Sequence, residues 1–327
     1  MALFKVSRRT ALVANTLAGL VLVAMAVALW REPVLLIRMD FAKQRVLLGA
    51  ESREVVVDGH RVVYAELPAD KPDAPTLVML HGYTGSKENW YRTARGLKGR
   101  YRILIPDLPG WGQSERVPGA NYGMPAQATR IAEFIRKTNG GRPVALAGHS
   151  MGGGIAALVA ARSPDLVAQV ALLNAAGVRF ADNAFGKAVL EGQNPFEVRD
   201  PDSLERFLAT VFGDTATRPW LPWPADRAYI AFRRSEAAFE DSVLERIGRS
   251  EERFLPGEEA SRIQQPALLL WCDGDKVIDP SALALYATRI PQASQVMLEG
   301  CGHMSMMERP GDTVVALILL IDRGAPR

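Results

Sequence analysis

The chain has 327 residues, of which 48% are hydrophobic and 23% charged, with a net charge of +3. That composition excludes a disordered or collagen-like chain, and two cysteines exclude a disulfide scaffold. The positive excess is local. Lys5, Arg8, Arg9, Arg31, Arg38, Lys43 and Arg45 against Glu32 and Asp40 give +5 over the first fifty residues, and the near-neutral rest excludes a nucleic-acid binder.

From Ala11 to Trp30 the chain is apolar apart from Asn15, Thr16 and Gly19. Twenty residues at 1.5 Å each match a hydrocarbon core of roughly 30 Å, which predicts a single transmembrane helix anchoring the chain. The alternatives are a cleaved signal, with A-x-A at Ala24-Met25-Ala26 or Ala26-Val27-Ala28 and a twin-arginine-like Ser7-Arg8-Arg9, or a buried core helix. As an anchor it leaves the body on the non-cytoplasmic side; as a signal it gives an exported protein. Val34 to Leu48 follows with apolar Leu35, Met39, Ala42 and Val46 among basic residues. This pattern predicts a helix lying on an anionic membrane or packed on the protein's own body.

Beyond residue 50, Glu54–Asp58 and Arg61–Leu67 flank Gly59-His60, a hairpin signal. Runs at Thr76–Leu80, Arg102–Pro106, Val144–Ala147, Val167–Leu173, Pro266–Trp271 and Ser294–Leu298 read as strands, and most of them are continuously apolar, as expected of strands buried on both faces. Helical patterns at Lys87–Leu97, Met124–Thr138, Gly152–Arg162 and Ser281–Arg289 alternate with them. The fold expected is α/β, with a mostly parallel eight-stranded sheet flanked by helices. Residues 178–262 break the rhythm with amphipathic, aromatic-rich runs and predict a helical insertion after the sixth strand. The core is then 51–177 plus 263–327, behind an N-terminal segment 1–50.

Gly148-His149-Ser150-Met151-Gly152 is a G-x-S-x-G sequence between a strand and a small-residue helix. Glycines at both flanks permit a turn that exposes a serine hydroxyl at a helix N-terminus, so Ser150 is the candidate nucleophile. A serine needs a base. Among four histidines, His60 reads as a surface turn residue, His149 sits inside the turn, and His81 opens the loop after Thr76–Leu80. His303, after the last strand, is where an α/β sheet gathers its chemistry. Its acid should follow the preceding strand, where Asp275 is favoured over Asp273, and Asp279 resembles a helix cap. The oxyanion donors expected are the amides of Met151 and, from the loop at His81-Gly82, Tyr83. His81, Gly82, His149, Trp220 and Trp223 are candidate substrate contacts. No cluster has metal-ligand spacing and no cofactor motif is present. Cys272 and Cys301 are expected as buried free thiols, with an export-linked disulfide as the alternative.

The chain from about residue 51 resembles an α/β-hydrolase in His81-Gly82-Tyr83, Asp107 to Ser114, Gly148–Gly152, Trp271–Asp279 and Gly302-His303 with Met307-Glu-Arg-Pro310. Within that family it is similar to serine lipases and esterases of the membrane-anchored monoacylglycerol lipase-like branch and its bacterial lipase relatives. The resemblance implies acyl-ester hydrolysis of a small lipid or ester substrate by Ser150, His303 and Asp275, without a cofactor. It also implies a structural role for Asp107 and a mobile cap or lid at 178–262. A carbon–carbon bond hydrolase, a lactonase or a thioesterase would use the same three residues.

Overall fold

A computed structural model describes residues 8–32 and 34–323. Two helices lead, α1 (Arg8–Arg31) and α2 (Val34–Leu48). The sheet strands are β1 (Glu51–Val57), β2 (His60–Leu67), β3 (Thr76–Leu80), β4 (Arg102–Pro106), β5 (Val144–His149), β6 (Val167–Leu173), β7 (Ala267–Cys272) and β8 (Ser294–Leu298). Their order is β1-β2-β4-β3-β5-β6-β7-β8. β2 runs antiparallel to β1 and β4, and the other neighbours pair in parallel. The order reverses between β3 and β5, so the C-terminal ends of these two strands border the crevice where such sheets place their sites.

The buried strands present one layer of side chains to each face. Val78, Leu80, Leu104, Leu146, Leu172 and Leu269 pack with α4 (Met124–Asn139) and α5 (Met151–Arg162). Leu77, Met79, Ile103, Ile105, Leu173 and Leu270 pack with α3 (Tyr91–Leu97) and α12 (Pro310–Arg323). Alternation within a continuous apolar run is what burial of both faces requires. Between β6 and β7 the chain is helical, with α6 (Ala184–Leu190), α7 (Pro201–Val211), α8 (Ala225–Leu244) and α9 (Leu255–Glu259). After β7 come α10 (Ser281–Arg289) and, beyond β8, the single turn α11 (Ser305–Glu308).

Several expectations are corrected. The hairpin turn is Asp58-Gly59, both with positive φ, so His60 belongs to β2. Its ring is buried, with Nδ1 2.7 Å from the Asp58 carbonyl, rather than on the surface. Helix α2 packs on the body, and its expected apolar stripe holds in part: Leu35 and Ala42 are partly covered, together with Leu36, Ile37 and Phe41, and Leu48 is buried, whereas Met39 and Val46 are exposed. Cys272 and Cys301 are joined by a disulfide with Cα atoms 5.3 Å apart, not free thiols. The reason is register: β7 and β8 are parallel neighbours with Cys272 opposite Leu298, three residues before Cys301.

Helix α1 leaves Leu12, Val13, Leu17, Leu20, Val23 and Val27 exposed. Among the described residues, no helix is long and apolar enough to cross a membrane, so the spanning role expected of Ala11–Trp30 does not follow from the fold. Ser7 of the export-like sequence lies outside the described residues, as do the side chains of Arg8 and Trp30.

The disulfide closes a loop with a sequence separation of 29 residues. Replacing both cysteines by alanine is expected to lower the free energy of unfolding by about 3 to 4 kcal/mol, the loop entropy of that length. Urea unfolding of the two proteins, both under oxidising conditions, measures it.

Candidate active site

Ser150 sits between β5 and α5 with φ 55° and ψ −120°, a conformation that non-glycine residues rarely hold. Its neighbours fix it there. The Ser150 amide donates to the Leu173 carbonyl at 3.0 Å, and its own carbonyl accepts from Gly153, Gly154 and Ala176 at 2.9 to 3.1 Å. A Cβ on Gly148 would lie 2.1 Å from the Gly152 carbonyl oxygen, and one on Gly152 would lie 2.4 Å from that of His81. The two flanking positions therefore admit glycine alone, and that contact sets α5 directly against the exit of β3.

His303 follows β8, with its ring Nδ1 at 2.9 and 3.1 Å from the two carboxylate oxygens of Asp275. Asp275 is buried, and its remaining lone pairs accept from the amides of Val277 and Ile278 at 2.9 and 3.0 Å and from Asn174 Nδ2 at 2.8 Å. Asp273 instead accepts from the Gly300 amide at 2.9 Å, and Asp279 from the Ser281 amide at 2.9 Å ahead of α10. Of the three aspartates expected near this histidine, the fold pairs Asp275 with it. Asn174, at the end of β6, gave no sign in the sequence, because its role depends on β6 and β7 being neighbours.

Ser150 and His303 line one cavity of about 500 Å³ together with Gly82, Tyr83, His149 and Trp220. Its far wall comes from α2, through Leu36, Ile37 and Phe41, and from Phe207, Leu208 and Phe212 of the helical segment. Ser150 and Tyr83 also line a second cavity of about 300 Å³, which Met151 borders with Phe180, Phe185, Phe196, Val277 and Ile278. The wall from α2 was not foreseen, and Phe41 was its signal in the sequence. Trp220 is 85% exposed at the rim, and Trp223 is 65% exposed and not among the lining residues.

The other candidate residues hold the walls. His81 is fully buried behind the loop, accepting from the Leu108 amide at Nε2 (2.9 Å) and donating from Nδ1 to the Gly82 carbonyl (2.8 Å). Burial pushes its pKa down to about 4, so it stays neutral with the tautomer those partners require. His149 donates from Nε2 to the His303 carbonyl at 2.7 Å, its ring 4.7 Å from that of His303. Burial, and then the neighbouring His303, hold its pKa well below the usual histidine range. The Tyr83 ring packs on Trp111 and Phe196, and its hydroxyl donates to the Glu240 carbonyl of α8 at 2.7 Å. Met151 heads α5, where first-turn amides have no intrahelical acceptor. Asp107, after β4, is buried against Lys87 Nζ at 2.7 Å and accepts from the Lys87 and Gln113 amides, which braces two loops beside the site. Among the described residues no group of His, Cys, Asp or Glu is arranged to hold a metal ion.

Residues 75–310 match the family described as alpha/beta hydrolase fold. Lipase 3 of Moraxella sp. (strain TA144) is 31% identical over 79% of this chain and 80% of its own length. Monoacylglycerol lipase ABHD6 of Bos taurus is 27% identical over 89% of this chain and 87% of its own. A crystal structure of a membrane phospholipase A, a bacterial virulence factor, superposes with a TM-score of 0.83 at 35% identity, covering 95% of this chain and 99% of that one.

The buried, neutral histidines make stability depend on pH. An unfolded chain binds a proton at His81 near pH 6.5, and the native chain refuses it until about pH 4. Stability contributed by this group is therefore full above pH 7 and lost as the pH falls from 6.5 to 4, by about 3 kcal/mol, with His149 acting in the same direction. Urea unfolding at pH 7.5 and pH 4.5 is expected to show this loss, and His81→Gln to reduce it.

Proposed function

The chain belongs to the α/β-hydrolase fold family, and on that premise we propose that it is a serine carboxylester hydrolase acting on acyl esters of lipids through Ser150, His303 and Asp275. The observation that carries the reading is that His303, paired with the buried Asp275, lines the same cavity as a serine held at positive φ on a strand–helix turn. Ser150 Oγ attacks the ester carbonyl while His303 Nε2 takes its proton. Asp275 accepts from the Nδ1–H of His303 and stabilises the imidazolium, which Asn174 and two amides keep oriented by saturating the carboxylate. The amides of Tyr83 and Met151 receive the oxyanion. The alcohol leaves with the proton from His303, and a water deprotonated by the same nitrogen releases the acid from the acyl-enzyme. His149, held neutral beside His303, adds no positive charge against the imidazolium as it forms.

The substrate class is supported by the apolar lining of both cavities, which suits acyl chains, and by relatives named lipase, monoacylglycerol lipase and membrane phospholipase A. Residues 178–262 serve as a cap: they supply Phe196, Phe207 and Phe212 to the walls above Ser150. The exposed apolar side chains of α1, with Trp220 and Trp223 exposed on the cap, support attachment at a membrane through the N-terminal helix. The Cys272–Cys301 disulfide supports a catalytic body on the oxidising, non-cytoplasmic side.

Two experiments test the reading. Ser150→Ala is expected to lose at least about a thousandfold in kcat on p-nitrophenyl esters while melting at the wild-type temperature, and wild type is expected to prefer medium or long acyl chains; retained turnover in the variant sinks the scheme. The full chain is expected to float with phosphatidylglycerol-containing vesicles and to stay with them in 1 M salt. Release by salt alone would mean that the basic residues rather than α1 make the attachment.

A further inference from the structure

Glu308, the last residue of α11, takes no part in the chemistry proposed above, yet its carboxylate is buried and surrounded by hydrogen-bond donors. Its two oxygens face different parts of the molecule. Oε1 accepts from the amides of Gly302 and Met304, the residues on either side of His303, at 2.9 and 3.3 Å. Oε2 accepts from the amides of Gly213 and Asp214 at 2.9 and 3.2 Å, and from Thr217 Oγ1 at 3.3 Å, all in the helical segment after α7. The same two stretches also meet directly. The His303 amide donates to the Val211 carbonyl at 2.9 Å. A Cβ on Gly302 would lie 2.4 Å from the Gly213 nitrogen, and one on Gly213 would lie 2.5 Å from the Gly302 nitrogen.

The His303 amide is therefore held by Val211 of the segment 211–217 while its carbonyl is held by His149, and one carboxylate closes the junction of loop and segment from both sides. We propose that Glu308 is a positioning residue that fixes His303 in register with Ser150 by clamping the histidine loop to the cap segment 211–217. The segment runs straight into Arg218–Pro224, the stretch that carries Trp220 at the cavity rim. A shift of this part of the cap pulls on Glu308 and on the amide of His303 together, so the place of the cap and the place of the base are one variable.

A carboxylate suits this clamp because both of its oxygens accept. Glutamine has the same shape but must turn an NH₂ toward one of the two donor sets, which sets donor against donor at either the histidine loop or the cap. Aspartate keeps both acceptors and withdraws them by one methylene. The inference rests on His303 being the base of the proposed reaction.

The test uses full-length Glu308→Gln and Glu308→Asp, assayed on a short soluble ester well below the melting temperatures of both variants. Expected are a fall in kcat of about 10- to 100-fold with KM changed less than threefold, as for a base displaced by a fraction of an ångström to one ångström. The rate of Ser150 labelling by a fluorophosphonate should fall in the same proportion, because it draws on the same base. A kcat and labelling rate within twofold of wild type in either folded variant, with only the melting temperature lowered, would show a purely structural residue and overturn the proposal. The parent reading fails separately, if Ser150→Ala keeps turnover.

Discussion

The site depends on a steric constraint: the backbones at the β5–α5 turn and at the exit of β3 touch. With no room for a Cβ at Gly148 or Gly152, the first turn of α5 lies directly on the carbonyls of Leu80 and His81. That contact brings the loop at Gly82-Tyr83 to the same point as Ser150: a Cβ built on Gly82 would be 3.0 Å from that of Ser150. A serine at positive φ is strained by roughly 1 to 3 kcal/mol, and strands buried on both faces hold it there. Close packing thus sets Ser150, the helix terminus and the proposed oxyanion loop at one point before any polar interaction is counted.

Much of this was legible in the sequence because it is written in local patterns. Central parallel strands such as Ala267–Cys272 are apolar throughout since both faces are covered, and the turn at Ser150 announces itself through its glycines. Three of the four histidines have other occupations: His81 and His149 are bound to backbone within the site's walls, and His60 faces Tyr122 inside the core. What was not legible depends on partners distant in the chain. The turn at Asp58-Gly59 is offset by one residue from the reading, and in a strand a shift of one residue reverses the face, which is why His60 was misread. The stripe of α2 was chosen by spacing alone, whereas the surface it meets adds Leu36, Ile37 and Phe41 and leaves out Met39 and Val46. Asn174 and the Cys272–Cys301 bond become meaningful only once β6, β7 and β8 lie side by side, and the contacts of Glu308 only once residues 211–217 meet the histidine loop.

The buried charges follow one pattern. Lys87 with Asp107, and Arg233 with Glu240, are each removed from water and each hydrogen-bonded beyond the pair: Asp107 to two amides, Arg233 to the Phe196 carbonyl at 2.8 Å and to Tyr229 Oη at 3.1 Å. Such pairs are weak sources of stability, since desolvation offsets most of their attraction, but breaking one leaves a charge uncompensated. Their effect here is to fix geometry. The first locks the loops after β3 and β4, and the second locks two turns of α8 against Phe196 within the helical segment between β6 and β7.

The helical segment between β6 and β7, the proposed cap, meets each of the three loops that surround Ser150 through directed polar contacts. Tyr83 Oη reaches the Glu240 carbonyl from the loop after β3. Val211, Gly213, Asp214 and Thr217 meet His303 and Glu308 after β8. Asn183 donates to the carbonyls of Lys276 and Val277, and Lys276 Nζ to that of Ala209, beside Asp275 after β7. Apolar contacts tolerate sliding, because their energy varies slowly with position, whereas a hydrogen bond weakens steeply once its angle or length departs from the optimum. A cap fastened in this way cannot shift without straining the elements that carry the proposed chemistry. Under the proposed chemistry, an ester bound between this segment and the core would bear on His303, Asp275 and the Tyr83 loop together, because the two cavities that Ser150 lines are walled by the same elements.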